Sequence, residues 1–187
     1  MADALKPGAP LAFTYHHNKI DAYYAIGVAI LDAGLTCSAS LPCPAEMGGS
    51  IHIHGTASSI IDTVFVCRDT GQTPREWLFA SADELMPILA HDLAQLTEAG
   101  RKPTTGDTRC IIFGHLTRMA IWNLRSEWDP TLPTKDKLER FADAVRALSN
   151  PEELLARLKT APATDAPAGP LFSAATTLKR TRDAVAF

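Results

Sequence analysis

Between Leu11 and Leu41 the apolar residues change spacing twice, and no other feature restricts the fold as much. Leu11 to Tyr15, LAFTY, is a short apolar run with Phe13 and Tyr15, of a length suited to a buried strand. Ile20, Tyr23, Tyr24, Gly27, Ile30 and Leu31 then recur at every third or fourth position, which gives a helix one apolar face. Asn18 is placed to cap that helix, Asp21 falls in its first turn, and Gly34 is a natural terminator. Leu35, Cys37, Ala39 and Leu41 next alternate with Thr36, Ser38 and Ser40, the period of a half-exposed strand. A strand, a single helix and a second strand form a crossover unit, which is right-handed and joins parallel strands. The fold class is therefore α/β.

The third strand is Ile60 to Arg68, IIDTVFVCR, β-branched and apolar. It is reached through PCPAEMGGSIHIHGTASS, a Pro- and Gly-bearing loop without a helical pattern, so it is expected to be antiparallel. Lys6-Pro7-Gly8 marks a turn ahead of the first strand. Beyond Asp69 the character turns helical. Ser81 and Glu84 form a capping box, and Leu85, Ile88, Leu89, Leu93 and Leu96 stripe a helix up to Gly100. Asp107 is placed to open a helix through CIIFGHLTRMAIWNLR that is apolar on most sides and so well buried. Thr134 opens a shorter helix, and Asn150, Pro151 and Glu153 are a dense start signal for another. The expected organisation is a partial sheet of about three strands in residues 1–70, a helical region in 71–160 packing on it, and a linker with a basic tail in 161–187.

Composition adds exclusions. The 187 residues are 46% hydrophobic and 21% charged with a net charge of -3, which fits a globular protein and leaves a nucleic-acid partner open. Cys37, Cys43, Cys67 and Cys110 form no C-x-x-C pair, which argues against a zinc ribbon and for reduced thiols. Neither a secretion signal nor an apolar run of membrane length occurs, so the chain is expected to be cytoplasmic, with no membrane partner.

Chemistry-bearing residues gather in three places. His16 and His17 follow the first strand, and open α/β sheets bind ligands outside the carboxyl ends of their strands. They either border a pocket or make local hydrogen bonds. His52 and His54 alternate, so both face one side if the segment is extended; a metal there needs a third ligand, with Glu46 or Cys43 the candidates. No metal is assigned, and a contact to DNA or a solvated loop are the competing readings. Lys179, Arg180 and Arg182 form a terminal basic cluster that either meets nucleic-acid backbone or is simply solvated. Arg68 is expected to pair with a carboxylate, and Trp122 and Trp128 to pack in or beside the core.

The strand end FTYHH, the loop EMGGSIHI and the strand DTVFVCR together resemble the later half of the catalytic domain in amino-methylating DNA methyltransferases. The resemblance is to the large bacterial adenine-specific DNA methylase family, and covers roughly residues 5–70, with residues 107–125 matching more loosely. It implies that the Lys-Pro-Gly turn leads into the fifth strand of a Rossmann-like sheet, closed by a hairpin of the sixth and seventh. It implies too that His16, His17, Glu46, His52 and His54 border a substrate or cofactor pocket.

Two motifs of that family do not occur in this sequence. One is the Gly-rich turn after a first strand that cradles S-adenosylmethionine; the other is the Asp/Asn-Pro-Pro-Tyr/Phe loop that holds the extruded base. Trp128-Asp129-Pro130 runs on into Thr131 and does not follow a strand, and MGGS does not lead from a strand into a helix. Methyl transfer to an exocyclic amine depends on positioning the two reactants and on polar groups facing the developing charge. A flipped base also needs a stacking pocket. The expectation is therefore part of an S-adenosylmethionine-dependent DNA amino-methyltransferase, for N6-adenine or N4-cytosine, inactive alone. No catalytic residue is assigned, and the cofactor binds only in complex with a partner. That partner, or a second copy, is expected to pair across Leu11 to Tyr15, because a strand without its neighbour leaves backbone groups open. The alternative is a non-enzymatic DNA-binding or scaffolding module derived from the same fold, and a third reading is a truncated copy of a longer methylase.

Overall fold

The computed structural model describes residues 4–6, 8–44, 59, 61–69 and 82–160, with the backbone alone at 82–84. Its elements are β1 (Leu11–Tyr15), α1 (Ile20–Asp32), β2 (Leu35–Pro44), β3 (Ile61–Asp69), α2 (Ala82–Glu98), α3 (Thr105–Arg125), α4 (Thr134–Leu148) and α5 (Pro151–Thr160). The described strands form one three-stranded sheet in the order β1-β3-β2. β3 is antiparallel to both neighbours, from Leu11↔Cys67 to Tyr15↔Thr63 on one side and from Leu35↔Asp69 to Pro44↔Ile61 on the other. β1 and β2 are therefore parallel to each other, joined through α1, with β3 inserted between them.

Local signals explain most boundaries. Gly8 sits at φ 76° where the Ala9 N–H closes onto the Lys6 carbonyl at 2.9 Å, the turn that aims β1. Gly34 and Gly100, both at φ 75°, end α1 and α2 in the left-handed conformation that glycine adopts without strain. Asn150 accepts from the Glu152 N–H at 2.9 Å, the expected start of α5. Two expected starts need correction. α3 begins at Thr105 with Thr104 as its N-cap, and Asp107, its third residue, closes a capping box with the Thr104 hydroxyl and N–H. Asn18 caps nothing; Lys19 is the N-cap of α1, and its N–H donates to His17 Nδ1 at 3.0 Å. The expected box of Ser81 with Glu84 lies outside the described side chains.

The alternation read for β2 as half-exposed is also corrected. Thr36, Ser38 and Ser40 are all buried. A bulge between Cys37 and Ala39 shifts the register, so Cys37 and Ser40 lie opposite Cys67 and Phe65. Phe65 and Cys67 belong to the buried face of β3, against which the helices pack. At Ser40 the strand backs onto Gly114 of α3, where a Cβ would meet the Ser40 hydroxyl and come within 2.8 Å of the Thr63 methyl. That close approach lets α3 lie on the sheet, buried along most of its length as its all-round apolar pattern requires.

The core is built on rings. Tyr23 of α1 has its ring 5.1 Å from Tyr15, 5.5 Å from Phe113 and 6.2 Å from Phe65, while Phe13 lies 5.7 Å from Phe65. Each such ring buried contributes roughly 1.5–3 kcal/mol through apolar surface removed from water. Trp122 donates to the Cys37 carbonyl at 2.7 Å, and Trp128 to Asp32 Oδ1 at 2.9 Å, which places both beside the core as expected. Asp32 also accepts from Lys137 Nζ at 2.8 Å, tying the end of α1 to α4.

Polar groups inside this core are unequal. Thr117 is fully buried, and its hydroxyl meets no partner among the described residues. An unmade hydrogen bond in an apolar site is costly, and removing the polar atom relieves it. Thr117→Val is expected to raise stability by about 1 kcal/mol. In thermal unfolding that corresponds to a melting point about 2–4 °C higher. A fall in melting point would show that the hydroxyl is satisfied.

Candidate functional site

The carboxyl end of β1 is where the structure brings polar groups from four elements together. His16 and His17 follow β1, Ser59 and Asp62 flank the start of β3, Tyr23 comes from α1, and Asp107 and Cys110 from the first turns of α3. His16 Nδ1 lies 2.9 Å from the Ile61 carbonyl and 3.7 Å from Asp62 Oδ1. Ser59 donates to Asp107 Oδ1 at 2.7 Å and accepts from the Ile61 N–H at 3.1 Å. Asp107 Oδ2 accepts from the Thr104 N–H at 2.7 Å and hydroxyl at 2.8 Å. The Cys110 thiol donates to the His17 carbonyl at 3.6 Å, and the Tyr23 hydroxyl lies 3.2 Å from Thr63 Oγ1.

These bonds set the two histidines in opposite tautomers. A carbonyl only accepts, so the proton of a neutral His16 sits on Nδ1 and its Nε2 is an acceptor. A backbone N–H only donates, so His17 accepts at Nδ1 and carries its proton on Nε2. Side by side in sequence, they offer one acceptor and one donor.

The Tyr23 phenol and the Cys110 thiol are held protonated. Burial pushes the Tyr23 phenol far above its ordinary range, with the neighbouring Cys110 adding to the effect. Burial also pushes the Cys110 thiol up, against hydrogen bonds from Ser59 and Tyr23, while the charges of Asp107 and Asp62 raise it further. A thiol kept neutral is a poor nucleophile. What the described residues of the corner offer is directed hydrogen bonding.

Of the residues expected to border a pocket, His16 and His17 lie at this corner. Glu46, His52 and His54 lie outside the described residues, as do Lys179, Arg180 and Arg182. The connection carrying Glu46, His52 and His54 leaves the sheet at Pro44 and returns by Ser59, and Pro44 pairs with Ile61 at this same end. Arg68 departs from expectation: its guanidinium donates to the Gly8 carbonyl at 3.0 Å, and no carboxylate pairs with it among the described residues. The sequence reading missed Ser59, Tyr23 and Cys110 as members of the corner. Thr104 and Asp107 carried a capping signal at the right spacing; the others carried none, since only the fold brings them together.

Among the described residues no three His, Cys, Asp or Glu side chains are grouped to hold a metal, and no helix is long and apolar enough to cross a membrane. No family model matches the chain, and no curated protein or solved structure is significantly similar to it.

Proposed function

We propose that this chain is part of an S-adenosylmethionine-dependent DNA amino-methyltransferase, completed by a partner chain that supplies the cofactor turn and the Pro-Pro loop. The observation that carries the reading is β1 itself. Among the described strands it lies at the edge of the sheet, with Leu11, Phe13 and Tyr15 half-buried, and the described helices make their main sheet contacts with β2 and β3. Support comes also from the β2–β3 hairpin, the arrangement the resemblance implies for the sixth and seventh strands. At the carboxyl end of β1, His16 and His17 offer an acceptor and a donor, groups suited to the edge of an amino-bearing base. No charged side chain lies within β1 to discourage pairing.

A second reading, the DNA-binding or scaffolding module, is favoured by the continuity of the core. The sheet and helices α1 to α5 share one apolar cluster, so the fold has an interior of its own.

The test is complementation. The isolated chain is expected to bind no S-adenosylmethionine in calorimetry. Co-expressed with the amino-terminal half of a related methylase catalytic domain, it is expected to transfer labelled methyl groups to DNA. Tight stoichiometric cofactor binding by the chain alone would overturn both readings. DNA binding without methyl transfer in the complemented pair would leave the scaffolding module.

A further inference from the structure

We infer that the edge of β1 that no described strand covers takes a second copy of this chain, forming a two-fold sheet continuous through two antiparallel β1 strands. The argument is the self-complementarity of five residues. With the axis at Phe13, Leu11 of one copy faces Tyr15 of the other, Phe13 faces Phe13, and Ala12 faces Thr14. Large side chains meet large ones on the core face and small ones meet on the opposite face. Leu11, Phe13 and Tyr15 are only half-buried within one chain, whereas their neighbour Phe65 is fully buried. Pairing extends the Phe13–Phe65 contact into a row of four rings and completes the burial of all three side chains.

Polar and charged groups lie at both ends of this register. Arg68 follows Cys67, the partner of Leu11, and reaches back to the Gly8 carbonyl, so it marks the amino end of β1. His16 and Asp62, 3.7 Å apart, mark the carboxyl end. The two-fold axis sets the Arg68–Asp69 end of each copy beside the His16–Asp62 end of the other, so that charged groups of both signs meet at both ends. An isologous contact of this kind closes on itself and stops at two copies. The incoming strand of a complementing partner would need this same edge, so partner and second copy exclude one another.

Light scattering on the full chain across a concentration series is the test. A mass rising towards twice that of the monomer is expected. Ala12 and Thr14 are exposed, so they accept charge without disturbing the core. In the double variant Ala12→Lys/Thr14→Lys the register opposes lysines twice, and the mass is expected to stay that of a monomer. In Ala12→Lys/Thr14→Glu each lysine faces a glutamate, and the dimer is expected to persist. A wild-type monomer at every concentration overturns the inference. So does a monomer whose β1 amides resist hydrogen exchange, because the chain's own residues would then cover the edge. Equal behaviour of the two double variants overturns the register. A missing dimer leaves the complementation experiment standing, since mass and methyl transfer are read separately.

Discussion

Gly27→Ala is expected to be among the most damaging single-methyl changes in this protein. Gly27 lies on α1 where α4 crosses it, and a Cβ there would fall inside the ring of Phe141. Phe141 is fully buried, with the Tyr24 ring at a centroid distance of 6.0 Å, so it has little room to swing aside. Adding a methylene to a filled core costs roughly 1–3 kcal/mol, and here the overlap is with a rigid ring rather than a flexible chain end. At the upper limit that lowers the melting point by about 6–12 °C for a domain of this size. The decisive control is the double variant Gly27→Ala/Phe141→Leu. The smaller side chain vacates the space, so the double variant should be more stable than the sum of the two single effects. Strict additivity would show that the helices simply move apart and that the close crossing is not a constraint.

Asp92→Ala is expected to cost about 1–3 kcal/mol, the range for leaving a buried hydrogen-bonding group without its partner. Asp92 Oδ2 lies 2.8 Å from His115 Nε2, with both side chains almost out of water. Arg118, 2% exposed, is close enough for the Asp92 charge to act on it. Burial lowers the Arg118 pKa, and the charges of Cys37 and Asp92 oppose that shift. Deleting the carboxylate leaves the imidazole without its acceptor and weakens the field that holds the guanidinium. Replacing Asp92 and His115 together by leucine should recover much of the loss, because apolar residues of suitable size fill such a site without unpaired polar atoms. Urea unfolding of the single and double variants separates these outcomes. A single variant as stable as the parent would show that water reaches the pair.

Both effects concern residues whose roles the chain order does not announce. Gly27 sits in an apolar helical stripe and reads as an ordinary interruption until Phe141, far along the chain, is placed over it. Asp92 is a polar residue in a striped helix, and His115 lies in a helix that is apolar on most sides. They become a pair only when α2 is laid on α3.

What was legible followed from local physics. The apolar run of β1, the stripe of α1, the turn glycines Gly8, Gly34 and Gly100 and the Asn150 cap act within a turn or two. Each was readable because the partner lies a few residues away. The parallel relation of β1 and β2 was readable as well, since a single helix of this length returns the chain in only one sense. The burial of Thr36, Ser38 and Ser40 was not readable, because one bulge residue shifts the phase of a period-two pattern without leaving a mark in composition.

The candidate site divides in the same way. By itself the amino-acid order determined that two histidines close the first strand, that a loop with Glu46, His52 and His54 precedes the third, and that the Gly-rich turn and Pro-Pro loop do not occur. Only the tertiary structure decided that β3 lies between β1 and β2, leaving β1 at the edge among the described strands. It alone set Ser59 against Asp107 and Asp62 beside His16, and gave His16 its tautomer. The reason is that capping and periodicity act within one turn of chain. The choice of sheet neighbour and the tautomer of His16 depend on groups some 45 or more residues away, such as the Ile61 carbonyl beneath His16.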